Sequence, residues 1–185
     1  MKCLMCDREI EQPKGRGRKR TTCGQRCRKR LSRAGVPARM MSVNRWVRAD
    51  GKRPITIDGK PASSTRETTW SSYREVRASE AGDGFGIMLG GGLAAHDLDD
   101  CFTDAGELKP WARDVLESVH NPLFIEVSKS GEGLHIFVEA EEGPGKRTEM
   151  PGGGRWEFYS RDQFIRTTLD RYVTTRRPDL REVTK

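Results

Sequence analysis

The chain has no apolar run approaching the roughly 20 residues of a membrane span, and its N-terminus, MKCLMCDREI, has no apolar signal core. A membrane role and secretion are therefore not expected, and a reducing cytoplasm is. It has no G-K-[ST], which excludes a P-loop motor, and no H-E-x-x-H. The glycines of Gly82-Asp83-Gly84-Phe85-Gly86 lack the dinucleotide-binding spacing. Apolar residues are scarce, at 34%, and aromatics make up 7%. Four Trp, six Phe and three Tyr still suffice to seed one core. At 185 residues the chain is long enough for one domain with a small appendage.

Charge is present in quantity and is unevenly placed. The net charge is +7, yet residues 1–60 hold 18 Lys/Arg against 5 Asp/Glu, whereas residues 61–185 hold 16 against 22. Residues 14–33 carry ten basic residues and no acidic one. A basic head on an acidic body suggests that the head meets a polyanion and the body does something else; a solvated basic tail is the alternative. The expected organisation is a basic module over 1–35, a linker over 36–43, a catalytic domain over 44–175 and a tail over 176–185.

Five cysteines in a reducing compartment are not expected to form a disulfide framework. Cys3-x2-Cys6 and Cys23-x3-Cys27, separated by 16 residues, have the paired spacing of a tetrahedral zinc site. So short a segment cannot bury a core of its own, so a structural Zn²⁺ would supply its folding energy. A short helix over Gly24–Arg33 would carry Cys27. Arg26, Arg28, Lys29, Arg30 and Arg33 would then lie beside phosphates of a nucleic acid, although small zinc modules also bind proteins. Cys101 is left over as an inert, half-buried thiol.

Strands are expected at 44–48, 54–57, 85–89, 93–98, 123–128, 134–139, 156–159, 163–167 and 171–175, with helices at 69–78 and 110–120. Gly90-Gly91-Gly92 should close a hairpin between 85–89 and 93–98, and 141–155 should be a loop. Strands outnumber helices and most connections read as hairpins, which predicts an α+β fold with a mainly antiparallel sheet.

Three elements carry chemistry. In Asp97-Leu98-Asp99 on a strand, the two carboxylates share one face and Leu98 takes the other, an arrangement suited to a pair of Mg²⁺ or Mn²⁺ ions. Ser130-Gly131-Glu132-Gly133-Leu134-His135 places a glycine turn before a strand. Its backbone N–H groups and His135 are suited to phosphate oxygens; a plain hairpin with an exposed His is the alternative. Glu157 is one carboxylate in an otherwise apolar strand, either a third ligand or a salt-bridge partner.

In this order the motifs HDLDD, SGEGLH and WEFY, together with Asn44-Arg45-Trp46-Val47 and the Thr65–Trp70 segment, make the chain resemble the bifunctional DNA primase/polymerase domain of the archaeo-eukaryotic primase superfamily, in a small phage form. The likeness covers about residues 44–175. It implies a two-module α+β core with an RRM-like sheet. Asp97, Asp99 and Glu157 would bind the catalytic Mg²⁺ or Mn²⁺, and Ser130, Gly131, Gly133 and His135 would hold the phosphates of an NTP or dNTP. A single-stranded DNA template would be copied by nucleotidyl transfer, with a separate replicative helicase as partner. Two departures stand out: Phe164-Ile165-Arg166-Thr167-Thr168-Leu169 lacks the family's glycine, and His96 takes an apolar position. The rival readings are a catalytically weak, zinc-headed single-strand binder and a nucleotide-responsive DNA-binding regulator.

Overall fold

The structure is a computed structural model that describes residues 1–6, 8–33 and 35–173. The tail over 176–185 lies outside the described residues. Among the described residues there are fourteen elements, and every strand pair is antiparallel.

The basic head contributes α1 (Gln25–Arg33), with Cys27 buried. The stretch expected as a linker contains α2 (Ala38–Met41), and its Met40 and Met41 are buried in the main core. Leu4, Met5 and Leu31 of the head pack against the same core.

Strands β1 (Trp46–Asp50), β2 (Arg53–Ile55), β3 (Gly84–Met88) and β9 (Phe164–Thr167) form one sheet, in the order β2-β1-β3-β9. Between β2 and β3, Glu67–Thr69 forms one 3-10 turn, and α3 (Tyr73–Ala78) follows. The start of α3 is fixed by a capping box: the Ser72 hydroxyl accepts from Glu75 N, and the Glu75 carboxylate accepts from Ser72 N.

The second sheet holds β4 (Leu93–Asp99), β5 (Phe124–Val127), β6 (Leu134–Glu139), β7 (Lys146–Glu149) and β8 (Arg155–Tyr159), in the order β5-β6-β4-β8-β7. Its two faces follow from strand alternation. Leu93, Ala95, Phe124 and Phe137 face Trp46, Ile87, Leu89 and Ile165 of the first sheet. Ala94, Leu98, Leu134, Ile136 and Val138 face Trp111 and Ala112 of α4 (Pro110–Ser118), which Pro110 opens at its first turn. Cys101 is fully buried in that second core rather than half-buried, and burial pushes its thiol up to about 12.

Three expectations change. The glycine turn between β3 and β4 exists, with Gly90 and Leu93 exchanging backbone hydrogen bonds, but the two strands do not pair. They enter different sheets. Ile87, Met88, Leu89, Leu93, Ala94 and Ala95 are all buried, so each strand needs cover on both faces, and a two-stranded ribbon cannot provide it. The segment 141–155 is not wholly a loop, because β7 pairs there along β8. All four β7 residues are exposed, so this edge strand has no apolar alternation to announce it. At 171–175, Arg171 makes only a single bridge to Glu126, and residues 174–175 lie outside the described residues.

Candidate functional site

The four-cysteine cluster comes first, because its geometry is the tightest. The Cys6, Cys23 and Cys27 sulfurs lie 3.6–3.7 Å apart, and Cys3 Sγ accepts from Cys23 N at 3.3 Å. All four sulfurs fall within 4.8 Å of one another. A tetrahedral Zn–S₄ site with bonds of about 2.3 Å places its sulfurs about 3.8 Å apart. The quartet therefore fits a structural metal such as zinc, and the separations are far too long for a disulfide. Burial raises the Cys3 thiol, but N–H groups of Met5, Cys23 and Cys6 outweigh it and hold it at about 7. The hydrogen bond with Cys23, with burial, pushes Cys27 up to about 12. A cation is what would let all four become thiolates together.

Arg26, Arg28, Lys29, Arg30 and Arg33 are all exposed on α1.

The acidic pair lies on the middle strand of the five-stranded sheet. Asp97 and Asp99 share a face of β4, and Leu98 is buried on the other. Strand register extends Asp97 into a row. His135 of β6 lies opposite Asp97 on one side and Glu157 of β8 on the other. Glu126 of β5 lies opposite His135, and Arg147 of β7 lies opposite Glu157. Five strands thus deliver Glu126, His135, Asp97, Glu157 and Arg147 in one line across the sheet, facing the other sheet.

Each group in the row has a distinct environment. Glu126 is fully buried; its Oε1 meets His135 Nδ1 at 2.8 Å. Its Oε2 accepts from the Thr167 hydroxyl, from Thr168 N at 3.2 Å and from Leu169 N at 2.8 Å. His135 Nε2 lies 3.6 Å from Asp97 Oδ1, too far for a hydrogen bond. Burial lowers His135, but Glu126 and then Asp97 more than offset this, so the imidazole is held above its usual range. Asp97 Oδ1 is buried without a hydrogen-bond partner. Burial first, and the charges of Asp99 and Glu157, push the Asp97 carboxyl up to about 6 against the lowering pull of His135.

The remaining carboxylates are neutralised by arginines. Arg155 bonds Asp99 Oδ2 at 3.1 Å and approaches Glu157 Oε1 at 3.2 Å, without hydrogen-bond geometry at its Nε. Arg147 also lies 3.2 Å from Glu157, and the Tyr159 hydroxyl donates to Glu157 Oε2 at 3.1 Å. Among the described residues the acidic groups do not gather as tightly as the cysteines do. The orphaned Asp97 oxygen is nonetheless the kind of group that a bound cation would satisfy.

Ser130, Gly131 and Gly133 sit apart from this row, in the turn before β6. The donors of the turn are engaged within it: Gly131 N bonds Ser128 O, Glu132 N bonds Ser130 Oγ and Gly133 N bonds Ser128 Oγ. Gly133 has a packing reason to be glycine, because a Cβ there would lie 2.5 Å from Leu98 O. The turn launches β6 so that His135 meets Asp97.

Sequence reasoning did not single out Glu126, Tyr159 or Thr167. Glu126 had the same signal as Glu157, a lone carboxylate in an apolar strand. His96 has a structural role on the opposite face, where its Nδ1 accepts from Trp156 Nε1 at 3.0 Å and its ring packs on Phe158. Burial lowers its pKa and keeps it a neutral acceptor. Among the described residues, no helix is long and apolar enough to cross a membrane. No protein-family model matches this sequence, and no curated protein matches it either.

Proposed function

We propose that the protein is a DNA-dependent primase/polymerase that transfers nucleotides from an NTP or dNTP to a 3′-hydroxyl on a single-stranded template. The observation that carries this reading is the row Glu126–His135–Asp97–Glu157, centred on a buried carboxylate oxygen without a partner. A buried carboxylate oxygen without a hydrogen bond is costly, and a perturbed titratable group of this kind marks a candidate functional site.

Asp97, Asp99 and Glu157 would hold Mg²⁺ or Mn²⁺. When bound, such ions supply activation of the 3′-hydroxyl and charge neutralisation of the leaving pyrophosphate. The protein supplies position. Glu126 fixes the His135 ring by its Nδ1, leaving Nε2 on the side of Asp97. Arg155 and Arg147, which hold Asp99 and Glu157, are close enough to exchange those carboxylates for substrate phosphates. The cysteine module, holding zinc, would present the basic helix α1 to the template. A separate helicase would be the replication partner.

A second reading has an observation of its own. Arg155 and Arg147 already neutralise Asp99 and Glu157, which suits a single-strand binder with weak or no chemistry. The test is incubation with a single-stranded template, Mn²⁺ or Mg²⁺ and labelled nucleotides, with and without a primer. Metal-dependent incorporation that is lost in Asp97→Asn supports the polymerase. Template binding without incorporation under any condition supports the binder.

A further inference from the structure

The loop between the two cysteine pairs takes no part in the carboxylate row, yet it is the most basic stretch of the chain. Residues 14–20 read KGRGRKR, five cations and two glycines. The loop has a fixed base. The Gln12 side chain closes it, donating from Nε2 to Arg20 O at 3.0 Å and accepting at Oε1 from Arg20 N at 2.9 Å. One residue further on, Thr21 O accepts from Leu4 N at 3.0 Å, which ties the end of the loop to the first cysteine pair. Residues 13–20 are all exposed. The cysteine cluster therefore holds both ends of a closed, projecting, cationic loop.

Five like charges in seven residues repel one another, and closing the loop keeps them together; a polyanion relieves that repulsion. The glycines narrow the choice of polyanion. Gly15 has a φ of +114°, which accounts for it. Gly17 has no positive φ, and no described residue comes within 4 Å of a Cβ built there. The protein's own packing thus gives Gly17 no reason to be glycine, and glycine is the residue that lets a backbone approach a ligand closely. Arg16 and Arg18 stand on either side of it. On extended backbone, residues i and i+2 point the same way about 6.6–6.8 Å apart, which matches two steps of a DNA duplex at about 3.4 Å each. The minor groove of that duplex is only about 6 Å wide, so a backbone enters it only where side chains do not block the way.

We propose that residues 14–20 enter the minor groove of A·T-rich duplex DNA, with Arg16 and Arg18 directed at its floor and Gly17 allowing the backbone in. Lys14, Lys19 and Arg20 meet the phosphates at the rim. The preference for A·T follows from the groove. A narrow A·T groove has the stronger negative potential and attracts arginine, whereas the guanine N2 amino group stands on the floor of a G·C groove. This goes beyond the polymerase reading and does not rest on it: that reading gives α1 a single-stranded template, and the loop takes a duplex.

The test uses the full-length protein supplied with zinc and the fluorescence anisotropy of two labelled duplexes of equal length, one all A·T and one all G·C, over a salt series. Wild type should bind the A·T duplex roughly tenfold more tightly. Arg16→Gln with Arg18→Gln should remove that preference and lower the log–log salt slope by about 0.9 for each charge lost. Gly17→Val keeps every charge and has open space around it in the free protein, so it should fold normally and still lose the preference. Arg113→Gln, exposed on α4, should behave as wild type. Equal affinity of wild type for the two duplexes overturns the proposal, as does a preference that survives in either loop variant. If the double arginine variant loses single-stranded oligothymidylate as strongly as the A·T duplex, the loop is a general polyanion contact and the groove assignment falls. Nucleotide incorporation is scored separately. A wild type that shows the A·T preference but never incorporates nucleotides leaves the loop standing and removes the polymerase. Incorporation without the preference removes the loop's role alone.

Discussion

Glu126 and His135 face each other across β5 and β6, with Oε1 2.8 Å from Nδ1 in a fully buried contact. The second Glu126 oxygen collects three further donors from Thr167, Thr168 and Leu169. One carboxylate therefore orients the imidazole that faces Asp97 and also ties the end of β9 to the other sheet.

Glu126→Ala should consequently be among the most destabilising single changes. Each buried donor left unpaired costs about 1–3 kcal/mol, so a loss of roughly 3–5 kcal/mol is expected. Urea unfolding measures it. A loss below about 1 kcal/mol would show that the donors find other partners. On the polymerase reading, Glu126→Gln in a stable background should lower nucleotide incorporation through His135, and the pH profile should move with it.

Asp97 gives a signed pH prediction in buffer without added divalent cation. Its folded-state pKa of about 6 stands above the ordinary 3.8, so the folded state binds this proton more tightly. The stability it contributes is fully present below 3.8 and is lost as pH rises through about 6. Asp97→Asn removes that loss. The variant should gain on wild type by up to about 3 kcal/mol between pH 4 and pH 7, and on the polymerase reading it should also lose nucleotidyl transfer. Denaturation curves at the two pH values check it; a difference that does not change with pH places the proton elsewhere.

The cysteine quartet should hold about one zinc per chain by elemental analysis. Cys6→Ser with Cys27→Ser should remove it. Leu4, Met5 and Leu31 pack on the main core, so the loss should also lower the melting temperature of the body and not only of the head. Zinc retained by that double variant would place the metal elsewhere.

Gly154 and Gly152 offer a matched pair. Both have positive φ, +93° and +78°. A Cβ at Gly154 would lie 2.6 Å from Asp100 O and 2.7 Å from Trp111 Cζ2, whereas at Gly152 it meets nothing within 4 Å. Gly152→Ala should cost about 1 kcal/mol, from backbone conformation alone. Gly154→Ala should cost several kcal/mol, because β8 must shift away from α4. Thermal melts compare them; equal losses would mean that the close approach does not matter.

The sequence was most informative where chemistry is local. Two cysteine pairs at short spacing announced the four-cysteine cluster, because ligand spacing is a property of single turns. Period-two alternation put Asp97 and Asp99 on one face and Leu98 on the other, and Pro110 marked the start of α4, whereas the helix expected over 69–78 starts only at Tyr73, after the Ser72 cap. Glu157 and Glu126 are equally visible as lone carboxylates in apolar strands, yet only Glu157 falls within the order of motifs that carries the family resemblance.

What the tertiary structure decided is everything that depends on which strands become neighbours. The turn at Gly90-Gly91-Gly92 looks like a hairpin, but burial on both faces sends β3 and β4 into different sheets. The exposed edge strand β7 carries no hydrophobic signal, because its pairing is made by backbone alone. Strand order brings Glu126, His135, Asp97, Glu157 and Arg147 into one row from positions as far apart as 97 and 157, and no local pattern encodes that register.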